Sequence, residues 1–554
     1  VTPEQILDQL DDQQRLAAQL LTGPTCIIAG AGTGKTRTIT HRIAYGVATG
    51  QFSPNRVLAL TYTNKAAAEL RTRLRALGVS GVSAKTFHSA ALSQLEYFWP
   101  QFTGAAAPKV IESKSKLIIE AATSLKLKLD TASVRDVAAE IEWLKYSLTA
   151  MGDYSKSRKN SVAGMSPTKL LELITKYEEL KIARQQIDWE DVLLLTIGLL
   201  KSEPRALAHV HAQYRFFTVD EYQDISPLQQ ELLDVWLGNR NEICVVGDPN
   251  QTIYTFTGAS SRFLQTFSNR FEGAQVVKLT KNYRSSESII ATANRLATSD
   301  SFELESASKT GSAKPRIQEF ESVSDEAAYV VSRIEGLLAQ GTSPADIAIL
   351  YRVNGQSEAF ENALISAGIS YQVRGGEKYF QRPEIQAAIR AIRAEALSGS
   401  SLTVFESVSN IIRSLGWQAL APETKGAARE KWEALNGLLT IVDELPETAD
   451  LGALAIELDE RMRSSDEPQR AAVTLSTIHA AKGLEWPCVF VVGVTEGYLP
   501  ISYAKTEAEI FEEQRLFYVA VTRAMQQLVI TWSKRDNQKG WQREPSRFLG
   551  LITS

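Results

Sequence analysis

The sequence predicts an α/β protein built on two parallel sheets, each interrupted by a helical insertion. Three observations predict it. Apolar runs of strand length recur in two sets, each run followed by a turn or helix signal. Two stretches, 91–204 and 383–470, carry apolar residues at helical spacing instead. The chain has 554 residues, beyond the ~250–300 that one core usually serves.

The first set of strands is TCIIAG (25–30), RVLALTY (56–62), VSAKTF (82–87), RFFTVDE (215–221) and EICVVGD (242–248). The second is QVVKLT (275–280), IAILYRV (347–353), YQVRG (371–375), VFVVGV (489–494) and LVITWS (528–533). Continuous apolar strands with helices between them fit sheets covered on both faces. The first insertion holds AAEIEWLKYSL and TKLLELITKYEELKIARQQ; the second holds IQAAIRAIRAEAL, AAREKWEALNGLLTIVDEL and LGALAIELDERM.

Composition excludes some classes. No run of ~18 apolar residues offers a membrane span. The opening VTPEQILDQL lacks the basic region of a secretory signal, and Val1 in place of Met suggests a trimmed or renumbered chain. Cys26, Cys244 and Cys488 each lie in an apolar strand without metal-ligand spacing, so they read as core thiols of a reducing compartment, and a cytoplasmic location is expected. A net charge of −4 argues weakly against nucleic-acid binding without excluding it, since phosphate contact needs only a local stripe of positive potential.

AGAGTGKT follows the first strand and precedes a helix, TRTITHRIAYGV, the context a phosphate-binding loop requires. The loop comprises Ala29, Gly30, Ala31, Gly32, Thr33, Gly34, Lys35 and Thr36. Its glycines let backbone N–H groups curl around phosphate oxygens, helped by the helix N-terminus. Lys35 is placed for the β- and γ-phosphates of ATP, and the Thr36 hydroxyl for Mg²⁺. Ala29 stands where the motif usually opens with glycine.

VDEYQD ends another strand. Asp220 is placed to hold Mg²⁺, directly or through water, and Glu221 to orient or deprotonate the attacking water. Phosphoryl transfer also needs positive charge at the departing γ-phosphate. KNYRSS and YVAVTRA supply Arg284 and Arg523; taken alone, either reads better as a surface ion-pair partner.

These segments, in this order, resemble the UvrD/Rep/PcrA group of superfamily 1A DNA helicases. LDDQQRLA, AGAGTGKTR, LTYTNKAAAEL, TFHS, VDEYQD, VVGDPNQTIYTFTGA, KNYRSS, ILYRVNGQS, TIHAAKGLEW and EEQRLFYVAVTRA look like the family's motifs in the family's order, from about 10 to 548. The resemblance implies two RecA-like domains with ATP between them. Domain 1A would comprise 1–90 and 205–274, 1B 91–204, 2A 275–382 and 471–554, and a reduced 2B 383–470. Gln14 would read adenine and Tyr283 would stack on it. Arg37 and Glu485 would lie near the nucleotide, and Gln251 would sense the γ-phosphate.

Single-strand binding without sequence readout combines stacking rings with a basic track. Tyr254 and Phe256, two apart in IYTFTG, share one face of an extended segment. The family puts ring stackers there. It likewise implies strand contacts from Tyr62, Thr63, Asn64 and Lys65, from Thr86, His88 and Ser89, and from His479 and Lys482. Contacts of this kind position a strand without reading its sequence.

The chain departs from the family at Thr257, where an arginine is usual, and in a short 383–470 insertion without the glycine-isoleucine-glycine element that contacts duplex. The end after PSRFLG suggests that a further C-terminal module is missing. The expected activity is 3′-to-5′ translocation on single-stranded DNA with helicase action at single-/double-strand junctions, with DNA-repair proteins as partners and no membrane. The alternative is an ATP-gated clamp, or a translocase that strips bound protein with little unwinding.

Overall fold

The computed structural model describes residues 1–111, 113–158, 161–298, 302–307, 314–374, 380, 382–398, 402–419, 427–443, 445, 449–464, 471–535 and 542–553. The chain divides into two compact units, Val1–Thr280 and Lys281–Ser554.

In the first unit, strands β1 (Thr25–Ala29), β2 (Val57–Thr61) and β3 (Ser83–Thr86) precede a two-residue pair, β4 (Lys109–Val110) and β5 (Gln186–Ile187). Strands β6 (Phe216–Val219), β7 (Ile243–Gly247) and β8 (Gln275–Leu279) follow. The six longer strands form one sheet in the order β3-β2-β6-β7-β1-β8, parallel throughout. Every residue of β2 and β7 is buried. Leu58, Leu60, Phe217 and Val245 face one core; Ile27, Val57, Ala59 and Val246 face the other. Period-2 alternation between two cores explains the unbroken apolar runs.

One expectation is corrected. The apolar pattern places QVVKLT (275–280) in the second sheet and starts the second sheet domain at 275. Its strand β8 instead pairs with β1 along five residues, Thr25 opposite Gln275 through Ala29 opposite Leu279. Val277 and Leu279 bury in the core that holds Ile27 and Val246. The next residue, Thr280, is tied by its amide to Gln13 Oε1 at 2.9 Å.

Helices Lys114–Ser124, Thr131–Tyr146 and Pro167–Ala183 share a separate core around Ile118, Val137, Ile141, Leu173 and Tyr177. Helices Phe87–Thr103 and Trp189–Ser202 pack instead on the sheet core, through Ala91, Leu95, Val192 and Leu193. Asp188, which caps the latter helix, accepts from Lys145 at 2.7 Å and Lys181 at 2.9 Å. Burial opposes its charge, yet the two ammonium groups hold its carboxyl well below the usual range.

The second unit opens with a two-residue pair, β9 (Lys281–Asn282) and β10 (Glu305–Ser306). Its sheet comprises β11 (Arg316–Ser322), β12 (Ile347–Tyr351), β13 (Tyr371–Arg374), β14 (Val473–Thr477), β15 (Trp486–Val491) and β16 (Ala524–Arg535). The order is β11-β16-β15-β12-β14-β13, again all parallel. Strands β13 and β14 are neighbours, so the intervening insertion leaves and re-enters the sheet side by side. Its regular elements, among the described residues, are all helices: Pro383–Ser398, Val404–Ser414, Ala427–Asp443 and Leu451–Ser464 close around Ile389, Ile412, Leu435 and Leu458. Among the described residues no helix is long and apolar enough to cross a membrane.

Candidate active site and strand interface

In the first unit, the glycine-rich loop leaves β1 and enters helix Lys35–Ala48. Gly32 and Gly34 adopt φ of 68° and 82°, the left-handed region that favours glycine. A Cβ at Gly34 would also lie 2.7 Å from Gln14 Nε2. No side chain caps this helix, so its first-turn N–H groups are left for an anion. Thr33 Oγ1 closes the loop by donating to Gly30 O at 2.9 Å.

Gln14 is buried against this loop. Its Nε2 donates to Thr33 O at 2.9 Å, and its Oε1 accepts from Asp11 N at 3.3 Å. The amide therefore braces the loop. Arg37 is exposed and donates to Gln9 O.

The acids stand at the end of β6. Asp220 Oδ1 accepts from Glu221 N at 2.9 Å. Burial, then the charge of Glu221, push the Asp220 carboxyl up to about 7, while Lys35 pulls the other way. Glu221 has φ 52° and ψ 41°, a left-handed conformation costly for a non-glycine residue and common at functional sites.

A hydrogen-bonded chain runs from this acid to the end of β7. Gln223 Nε2 donates to Glu221 Oε2 at 2.5 Å, and Gln223 Oε1 accepts from Asp248 N at 3.0 Å. Asp248 Oδ2 in turn accepts from Gln251 Nε2 at 2.7 Å. Burial raises the Asp248 carboxyl, against the pull of Lys35 and the Gln251 hydrogen bond. Lys35 thus acts on both acids. Gln223 and Asp248 were not singled out from the sequence; the adjacency of β6 and β7, which brings them together, is not visible in it.

Three residues beyond Gln251, Tyr254 stacks on Tyr62, with ring centroids 5.7 Å apart and planes 10° from parallel. The Phe256 side chain lies outside the described residues. Tyr62, Thr63, Asn64 and Lys65 are exposed. Thr63 caps helix Asn64–Ala76, accepting from Ala66 N at 3.1 Å. Thr86 and Ser89 form a reciprocal cap on helix Phe87–Thr103, at 3.1 and 2.9 Å. Both helix N-termini follow the carboxyl ends of neighbouring strands β2 and β3, so two positive dipole ends lie side by side.

His88 lies between an edge-on Tyr146 and an edge-on Trp189, at 6.2 and 5.9 Å between centroids. Burial, then Lys114, lower its imidazole to about 4, so the ring is neutral near pH 7. Trp189 is 47% exposed, an accessible ring in a helical stretch whose local sequence carries no sign of it.

In the second unit, Arg284 pairs with Glu485. Tyr283 is 50% exposed, with Lys281 Nζ 5.6 Å from its ring centroid. Arg523 donates through Nε to Val519 O and through Nη1 to Leu484 O, both at 3.0 Å. These bonds hold Arg523 beside Glu485. His479 and Lys482 share the turn after β14, where the Lys482 amide donates to His479 O at 3.2 Å. Burial, then Arg352 and Lys482, lower His479 to about 3.

Residues 10–272 match the model of the UvrD/REP helicase N-terminal domain. Residues 277–422 and 400–535 match that of the UvrD-like helicase C-terminal domain. The chain is 42% identical to the ATP-dependent DNA helicase UvrD2 of Mycobacterium tuberculosis, over 100% of this chain and 83% of that protein. It is 30% identical to the ATP-dependent DNA helicase PcrA of Leuconostoc citreum, over 99% and 85%. It is 29% identical to DNA helicase II of Escherichia coli, over 99% and 88%.

Proposed function

This chain belongs to the UvrD/REP helicase family, and from that premise we propose that it is an ATP-dependent DNA helicase moving 3′-to-5′ on single-stranded DNA. The observation that carries the reading is the chain Glu221–Gln223–Asp248–Gln251, which ends three residues from the Tyr62–Tyr254 stack. A change at the γ-phosphate that moves Gln251 has a short covalent path to a ring that holds a base.

Ala29 to Thr36 cradle the phosphates of ATP, and Lys35 meets the β- and γ-phosphates. Mg²⁺ fits the donor set: Thr36 offers a hydroxyl and Asp220 a carboxylate, both hard oxygens. Asp220 Oδ2 carries no hydrogen bond among the described residues, so a cation would compensate its charge. The bound ion would neutralise charge developing on the phosphates. Glu221 orients the attacking water. The family premise assigns Arg284 and Arg523 to charge on the phosphates, Tyr283 to base stacking, Glu485 to orienting Arg284 and Arg37 to the nucleotide's vicinity. Gln14 reads the adenine from the position in which it braces the loop.

Tyr62, Thr63, Asn64, Lys65, Thr86, His88, Ser89, Tyr254 and Phe256 hold the strand in the first unit, joined by Trp189. His479 and Lys482 hold it in the second. The neutral state of both histidines makes them hydrogen-bonding rather than ionic contacts. The same family premise supports RecA-like domains 1A and 2A, with 2A beginning after Thr280, and helical domains 1B and 2B.

The 383–470 insertion, whose described regular elements are all helices, favours a second reading, a translocase or clamp with little unwinding of its own. Strand release from a 3′-tailed duplex with ATP decides between them. Release from 3′ but not 5′ tails supports the helicase; ATP hydrolysis without release from either supports the clamp.

A further inference from the structure

Tyr146 closes helix Thr131–Tyr146 and meets two of the candidate strand-binding segments at once. Its hydroxyl lies 3.1 Å from His88 Nε2. Its backbone and Cβ press on the turn after Tyr254: a Cβ at Gly258 (φ 93°) would come within 3.2 Å of Tyr146 Cβ and 3.4 Å of Ser147 N. Gly258 is favoured by its left-handed backbone, and this close approach leaves little room for a side chain there.

The pairing of hydroxyl and ring has a definite polarity. A neutral imidazole carries one proton, so one nitrogen donates and the other accepts. Among the described residues the phenolic proton of Tyr146 has no acceptor other than Nε2. Burial, first, and the nearby carboxylates raise the Tyr146 phenol, so that proton is retained. Tyr146 therefore donates, Nε2 accepts, and the ring proton sits on Nδ1. Among the described residues Nδ1 has no partner.

We propose that Tyr146 is a positioning residue that fixes His88 in the Nδ1–H tautomer, presenting a hydrogen-bond donor to a phosphate or sugar oxygen of the bound strand. The inference rests on the reading of His88 as a strand contact. Ring and helix together make the device rigid: Trp189 and Tyr146 clamp the imidazole edge-on from two sides. Because the same tyrosine bears on Gly258, a shift of the turn that carries Tyr254 is felt at His88.

The test uses the full chain with Tyr146→Phe, which keeps the ring and its contact with Gly258 and removes only the hydroxyl. The readouts are the half-saturating concentration of a single-stranded oligonucleotide and the ¹⁵N resonances of His88. The expected result is a roughly three- to tenfold rise in half-saturating DNA, the range of one hydrogen bond, with loss of the Nδ1–H pattern at His88. A thermal midpoint matching wild type excludes misfolding as the cause. His88→Ala is measured in parallel, alone and with Tyr146→Phe. If His88→Ala weakens DNA binding while Tyr146→Phe does not, the tautomer proposal fails and the strand contact stands. If His88→Ala changes nothing, the strand contact fails and the proposal with it. Additive losses in the double variant also overturn the proposal, since a residue acting through His88 has no effect once His88 is gone.

Discussion

Tyr62 and Tyr254 lie ring on ring, 5.7 Å between centroids and 10° from parallel. A base sandwiched between two rings needs about twice the 3.4 Å stacking rise. The pair therefore either opens by about an ångström to admit a base or offers its outer faces. Each stack is worth ~1–3 kcal/mol. Tyr254→Ala should raise the half-saturating concentration of single-stranded DNA by about fivefold to a hundredfold. Equilibrium binding followed by fluorescence anisotropy checks it; unchanged affinity would remove Tyr254 from the strand track.

Gln223 touches neither proposed ligand, yet it joins Glu221 to Asp248. Its loss removes one restraint from a glutamate held in a left-handed conformation, and misplacement by about 1 Å can cost a hundredfold. Gln223→Ala should lower the ATPase turnover about tenfold to a hundredfold with little change in nucleotide affinity. Steady-state hydrolysis and nucleotide titration separate the two. A rise in KM alone would make Gln223 a binding residue.

Thr257 donates to Tyr254 O at 2.8 Å and leaves that turn without a cation at its own position. Thr257→Arg should add one phosphate contact. Affinity for single-stranded DNA should rise a few-fold at low salt, and the slope of log K against log salt should steepen by about 0.7 to 1. An unchanged slope would place position 257 off the strand.

His88 titrates at about 4 against an ordinary 6.5. Between those values the unfolded chain binds a proton that the folded chain does not. Stability from this group is therefore complete above pH 6.5 and is lost as pH falls toward 4. His479, lowered to about 3, contributes with the same sign. For His88 the loss from pH 6.5 to 5 is on the order of 2 kcal/mol. Thermal midpoints at pH 7 and 5 should fall less in His88→Gln than in wild type. An equal fall would mean that His88 is protonated as freely in the fold as outside it.

The sequence made the strands legible where apolar runs were unbroken, as in Val57–Thr61 and Ile243–Gly247, because burial on both faces demands such runs. It hid β11, RIQEFES, an edge strand whose residues are exposed or half-buried throughout. It also hid β14, VTLST, where two threonines and a serine dilute the apolar signal. QVVKLT reads as a strand, but its sheet is not legible locally, since pairing partners are set by topology and not by local pattern. At the site, the glycine loop and VDEYQD were readable because their chemistry is local. The Gln223–Asp248 link, Trp189 beside His88 and the Tyr146 contact were not. Each joins segments that only the folded chain brings together.

The central claim is that hydrolysis at Lys35, Asp220 and Glu221 is coupled to a strand at Tyr254. The rate of ATP hydrolysis by the full chain, titrated with a single-stranded DNA oligonucleotide, tests it most directly. The predicted result is a saturable rise in rate that Lys35→Ala abolishes while DNA binding persists. A rate indifferent to DNA, or one that survives Lys35→Ala, would contradict the account.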